Sequence, residues 1–214
     1  MPEDPEPIKI RDITIDGLIK GEFIRQLPEL YRLKNVKDNN TWHNDESIFD
    51  QKINTLRELE RIRNAAPYII QRYLDQTLDE NTQWDTLYTA ALLKDVSKDV
   101  AWIKYSERLN AVEQDIYETK NIALILNRMF VSKLEQGVVL KIIRYDGQLQ
   151  KIVDPKNENL EEQYDKLITQ QSDIFVELNM FALAETASSE LLRINNPSEY
   201  RFRIDFHKNM LNTW

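Results

Sequence analysis

The sequence contains no cysteine, which removes several classes of protein from consideration. Neither a disulfide nor a thiolate metal site can form, and cysteine usage says nothing about the cell compartment. Glycine and proline are also scarce, at 4 and 7 of 214 residues. Because these residues punctuate turn-rich β architectures, their scarcity alongside abundant Leu, Glu, Lys and Gln favours helices. The composition therefore predicts an all-α protein.

Long hydrophobic runs are missing as well. None approaches the ~18 to 20 residues that a membrane span needs. The N-terminal stretch MPEDPEPIKI is acidic and proline-rich, where a signal peptide would be basic and then apolar. We expect a cytoplasmic protein with no membrane partner. The net charge of −8 would repel a phosphate backbone, which disfavours nucleic acid as a main partner.

The chain length favours one domain. Its 214 residues, 42% hydrophobic and 30% charged, suit a single hydrophobic core. Residues 1–12 are predicted to form a flexible acidic arm, since Pro2, Pro5 and Pro7 block a helix and no apolar period anchors it. Residues 13–214 are predicted to form the helical domain.

Apolar spacing and capping residues place the helices. Ser47 is a candidate cap for a helix over 48–62, and Ser132 with Glu135 has the spacing of a capping box. Gly147 is expected to close the second of these helices, and Asn196 to cap the last one. The remaining predicted helical stretches are short helices over 17–33 interrupted at Pro28, then 68–74, 84–96, 106–130 and 160–194.

Five segments, in order along the chain, match a recurring set of motifs. They are LPELYRLKNVKDNNTWHNDESIFDQKINTLREL, YTAALLKDVSK, EQDIYETKNIALILNRMFVS, LKIIRYDGQL and FALAETASSELL. Together they resemble the HD-domain metal-dependent phosphohydrolases, whose motifs at these places include F-x-H-T, A-A-L-L-H-D-I-G-K, H-E-x-x-G-A, I-I-x-x-H-G and A-L-A-D-T. The match covers roughly residues 22–211. The resemblance implies an HD-domain-like helical bundle.

In that family, imidazoles and carboxylates from separate helices hold one or two divalent ions. The metal lowers the pKa of a bound water and screens the phosphate oxygens during attack. Carried over position by position, the family's site falls on Gln51, Lys94, Asp95, Gln114 with Asp115 beside it, Asp146 and Glu185. Asp173 is an alternative to Glu185 for the closing acidic position.

Most of these positions have lost the residue type that binds metal. Only Asp95 keeps the family's residue, and Lys94 puts an ammonium group where a cation should lie. The chain's two histidines, His43 and His207, lie outside the matched positions. The resemblance thus implies a degenerate site with no catalytic residues and no cofactor.

Three interpretations of Lys94 stay open. It is a solvated lysine at a helix end, or it forms an internal salt bridge with Asp95, Asp146 or Glu185, or it is a functional lysine that binds phosphate or acts as a base. We expect the salt bridge, with Asp95 as the nearest partner, because a paired buried charge roughly breaks even whereas an isolated one is costly.

The leading hypothesis is a catalytically inactive HD-fold protein that acts as a binding or scaffold subunit. Its partner would be a protein or another copy of the chain, with a nucleotide contacting Lys94 as a further possibility. The alternative is a residual phosphohydrolase that acts on a nucleotide or other phosphoester. Its Mg or Mn site would be rebuilt from Asp95, Asp146 and Glu185. A third possibility is a helical packing block within a larger assembly.

Overall fold

The computed structural model describes residues 6–37, 46–65, 80–98 and 111–213. Within these ranges the protein is an all-α bundle without strands, as predicted; its one β-type contact is an isolated bridge between Lys37 and Ser47. The helices are α1 (Ile15–Lys20), α2 (Pro28–Arg32), α3 (Ile48–Ala65), α4 (Glu80–Leu93), α5 (Ala111–Arg128), α6 (Lys133–Ile152), α7 (Leu160–Gln170), α8 (Phe175–Ser188), α9 (Glu190–Asn195) and α10 (Pro197–Thr213). None of the helices described there is long and apolar enough to cross a lipid bilayer.

The predicted caps start the helices. The Ser47 hydroxyl accepts a hydrogen bond from the Asp50 amide at 3.1 Å. Ser132 and Glu135 form a complete capping box at the start of α6, and the Asn196 side chain accepts from the Glu199 amide at the start of α10. Each cap satisfies a backbone donor that the first helical turn leaves without a partner.

Two of the helix predictions are wrong. Gly147 does not close α6, which continues to Ile152, because buried residues on both sides of the glycine outweigh its weak helix propensity. The predicted helix over 160–194 is three helices. It breaks at a 3₁₀ turn, Ser172–Ile174, and at Ser189, whose hydroxyl caps α9 by accepting from the Leu192 amide. The helix predicted over 68–74 lies outside the described residues.

Residues 6–12 depart from the expected solvated arm. Ile8 is buried in the main core, and Arg11 Nε lies 2.5 Å from Asp85 Oδ2 on α4. Ile10 also packs against this core, so two apolar side chains and the Arg11–Asp85 ion pair anchor the segment to the bundle. Residues 1–5 lie outside the described residues.

Helix α8 lies at the centre of the bundle. Ten of its residues are buried, and it packs on α3, α4, α6 and α10. The main apolar cluster joins α3, α4, α6 and α8, whereas a second cluster joins the end of α6 to α7, α8 and α10. A polar side chain on α8 is therefore enclosed by several helices, as Glu185 is.

Candidate functional site: a buried lysine–carboxylate cluster

Lys94 connects three helices through its ammonium group. It lies in the turn that follows α4, and its Nζ is 2.5 Å from Asp146 Oδ2 on α6. The same Nζ also pairs with Glu185 Oε2 on α8. The Asp146 side chain is fully buried, while those of Lys94 and Glu185 are 20% and 21% exposed. The predicted internal salt bridge of Lys94 is thus confirmed, with two carboxylate partners; we call Lys94, Asp146 and Glu185 the lysine–carboxylate cluster.

The side chains of this cluster differ in how readily they ionise. Burial acts to lower the pKa of Lys94, but the Asp146 and Glu185 carboxylates raise it above its ordinary value, so the ammonium stays charged. Burial, and then the Asp146 carboxylate, raise the pKa of Glu185, and Lys94 only partly offsets them. One cation thus faces two carboxyl groups, of which Glu185 resists ionisation.

Asp95 is not the ion-pair partner of Lys94, contrary to our expectation. Its Oδ1 lies 2.6 Å from the Nζ of Lys98, three residues along the chain. Its φ of 60° puts Asp95 in the left-handed region, so the backbone turns after α4. The side chains of Asp95 and Lys94 therefore point in different directions. Burial acts to raise the pKa of Asp95, but Lys98, then Lys94 and Lys52, lower it to about 2.

The remaining predicted positions lie on other elements of the fold. Gln51 is half-buried on α3, and its buried Nε2 has no hydrogen-bond partner among the described residues. Gln114 is half-buried on α5; the side chain of Asp115 lies outside what the structure describes. Asp173 is exposed, and its Oδ2 lies 2.5 Å from Lys141 Nζ. Of the two candidates for the closing acidic position, only Glu185 therefore reaches the cluster. His43 lies outside the described residues.

Two buried titratable residues lie beside the cluster, and the sequence patterns above assigned neither of them a role. Lys52 on α3 is 5% exposed, and its Nζ lies 3.5 Å from the Ala91 carbonyl oxygen. Burial lowers the pKa of Lys52 to about 8. The sequence pattern predicts an inward position for Lys52, because it lies on the same apolar helix face as Phe49, Ile53 and Leu56.

His207 on α10 is the second such residue, and it is fully buried. Its Nδ1 lies 3.1 Å from Asn179 Oδ1, which also accepts from the Tyr164 hydroxyl. Burial lowers the pKa of His207 to about 3, against an opposing effect of Asp146, so the imidazole is neutral. Its spacing of three residues from Ile204 and four from Leu211 predicts that His207 faces inward.

The residues present do not fit a divalent metal ion. Across the described parts of the chain, no three His, Cys, Asp or Glu side chains are grouped to hold a metal. Asp146 and Glu185 face an ammonium group, and Asp95 faces Lys98. The arrangement instead links α4, α6 and α8 through one shared cation.

The chain matches neither a family model nor a curated protein. The resemblance to HD-domain proteins therefore remains an interpretation of the five motifs.

Proposed function

We propose that this chain is a catalytically inactive HD-fold protein that acts as a binding or scaffold subunit. The observation that carries the proposal is the position of Lys94, whose Nζ lies 2.5 Å from Asp146 Oδ2 and also pairs with Glu185. By the resemblance, all three residues occupy metal-site positions. An ammonium group there takes the place of the metal's charge.

This geometry opposes the family's chemistry for an electrostatic reason. HD-type hydrolysis needs a divalent ion that generates hydroxide near neutral pH. A lysine held between the two carboxylates repels such an ion and occupies the oxygen atoms that would bind it. Its raised pKa means that it does not leave the site by losing a proton at neutral pH. The cluster preserves the packing of the helices without supplying a reactive group.

The first test is metal content. Elemental analysis of the purified full chain, before and after chelation, is expected to find only substoichiometric Mg, Mn, Fe and Zn. A thermal melt with and without Mn should coincide, since a ligand at a hundredfold excess over its Kd would stabilise the fold by about 2.7 kcal/mol. Stoichiometric metal, or a melting shift of that size, would instead support the rebuilt Asp95, Asp146 and Glu185 site.

The second test is activity against phosphoesters. The wild-type protein with Mg or Mn is expected to release no more phosphate from nucleotides than the buffer does. Lys94→His is expected to leave the protein inactive and to lower its stability, because it leaves Asp146 and Glu185 less well compensated. Metal-dependent hydrolysis by the wild-type chain that Glu185→Gln abolishes would refute the proposal.

A further inference from the structure

One groove of the bundle carries an excess of positive charge. We call it the basic groove: a cavity of about 940 Å³ bounded by α3, the end of α8, α9 and α10, with Arg57, Arg61, Arg193 and Lys208 in its lining. Its two carboxylates are already paired, Glu58 with Arg61 at 2.7 Å and Glu190 with Arg193 at 3.1 Å. Two cations remain for a partner.

These two cations are accessible. Arg57 is exposed, and within the described ranges its guanidinium donates only to the Asn54 amide oxygen, at 3.2 Å. Lys208 is exposed too, and it has no ion-pair partner among the described residues. In a chain of net charge −8, this groove is a local reversal of sign. A partner that brings carboxylates would satisfy both groups.

A second surface of the same chain has the opposite charge. We call it the acidic shelf: the loop and first turns of α7, with Asp154, Glu158, Glu161, Glu162 and Asp165, which line a cavity of about 890 Å³ against α10. No Lys or Arg of the described chain lines it. All of these carboxylates except that of Asp154 are exposed and form no ion pair with any described residue.

Helix α10 separates the two surfaces. Tyr200, Ile204 and Lys208 recur every four residues and line the basic groove. Phe202, Phe206 and Met210 recur in the same way and line the cavity beside the acidic shelf. Because residues two apart on a helix point in nearly opposite directions, the surfaces lie on opposite sides of α10. Both combine half-buried apolar side chains with unpaired charges.

We propose that the acidic shelf of one copy of this chain docks in the basic groove of a second copy. The charges are complementary, and both surfaces belong to one molecule. A two-fold dimer could pair each groove with a shelf only if both surfaces faced the partner at once, but they lie on opposite sides of α10. The contact is therefore head-to-tail and leaves a free groove at one end and a free shelf at the other, so that it builds a ring or an open chain. It identifies a partner for the scaffold role but does not depend on whether the lysine–carboxylate cluster excludes metal.

The test is sedimentation velocity of the full chain from micromolar to near-millimolar concentration, with two neutralised variants. The groove variant is Arg57→Gln/Lys208→Gln, and the shelf variant is Glu161→Gln/Glu162→Gln. Wild-type protein is expected to associate with rising concentration, and each variant alone to associate at least about tenfold more weakly. Equal amounts of the two variants should form a 1:1 complex that grows no further, because the groove variant keeps a native shelf and the shelf variant a native groove.

Matched controls change the same net charge elsewhere. Lys20→Gln/Lys120→Gln and Asp16→Asn/Glu22→Gln alter exposed residues outside both surfaces and should associate like the wild type. Unchanged melting temperatures would establish that all variants fold. A wild-type chain that stays monomeric throughout, or a variant mixture that forms no 1:1 complex, would overturn the proposal. Failure here leaves the metal and activity tests of the proposed function unaffected.

Discussion

The Nζ of Lys94 lies 2.5 Å from Oδ2 of Asp146, a carboxylate that is fully buried in the middle of α6. Burying an ion is costly, and the attraction between two buried ions repays the cost only when each has its partner. Glu185 on α8 shares the same ammonium. The packing of α4, α6 and α8 thus depends on one positive charge.

Removing that charge should be strongly destabilising. Lys94→Met leaves two enclosed carboxyl groups without a cation, and we expect a loss of about 3 to 5 kcal/mol of unfolding free energy. Urea denaturation measures it. Lys141→Met, which breaks the exposed pair with Asp173, is the matched control and should cost about 1 kcal/mol or less.

An apolar replacement of the whole cluster separates the cost of an orphaned charge from the value of the pair. Lys94→Met/Asp146→Leu/Glu185→Leu should recover most of the stability that Lys94→Met loses, since buried ion pairs can often be replaced by hydrophobic residues of similar volume. If the triple variant were as unstable as the single one, the loss would lie in packing rather than in charge.

Glu185 should make the protein less stable as the pH rises. Its folded-state pKa is raised above the ordinary 4.5 by burial and the Asp146 carboxylate, so the folded protein binds a proton that the unfolded chain releases. That stabilisation is complete below about pH 4.5 and declines as the pH climbs through the folded-state pKa. Urea unfolding between pH 5 and 9 should show the decline in the wild type and a flatter profile in Glu185→Gln. Parallel profiles would contradict the assignment.

Much of this structure was predictable from local signals. The helical class and the caps at Ser47, Ser132 and Asn196 follow from residue types at short spacing. Capping satisfies backbone donors within one turn, so the necessary information lies within four residues. The pairing of Lys94 with Asp146 and Glu185, 52 and 91 residues away, was predicted only through the resemblance that places all three at one site.

The errors arose where tertiary packing decides. The left-handed backbone at Asp95 directs its carboxylate to Lys98, and no pattern in the sequence marks a non-glycine residue with φ of 60°. Gly147 stays inside α6 because the flanking Asp146 and Leu149 are buried against other helices. The inward position of His207 could be predicted from spacing, but its partner Asn179, on a different helix, could not.

His207 should make the protein sensitive to acid. Burial lowers its folded-state pKa from 6.5 to about 3. Between these pH values the unfolded chain binds a proton at His207 and the folded protein does not. Stability is full above pH 6.5 and falls as the pH drops towards 3, by about 2 kcal/mol between pH 7 and pH 5 for this group. The free energy of unfolding in urea is measured for wild type and His207→Gln at both pH values. The difference between the two proteins separates the effect of His207 from that of Glu185, which both retain. A difference that is constant with pH would show that His207 is protonated inside the fold.

Asp95 combines a strained backbone with a stabilising charge, and three substitutions separate the two. Lys98, Lys94 and Lys52 outweigh burial and lower its pKa from 3.8 to about 2, so its charge stabilises the fold above pH 3.8 and ceases to do so as the pH falls through 2. At pH 7, Asp95→Asn should cost about 2 kcal/mol, because Asn tolerates the left-handed region but carries no charge. Asp95→Ala should cost about 1 kcal/mol more than Asn, through strain at φ of 60°, and Asp95→Gly should remove that extra cost. Equal stabilities for the Asn, Ala and Gly variants in urea unfolding would show that the backbone relaxes out of this conformation.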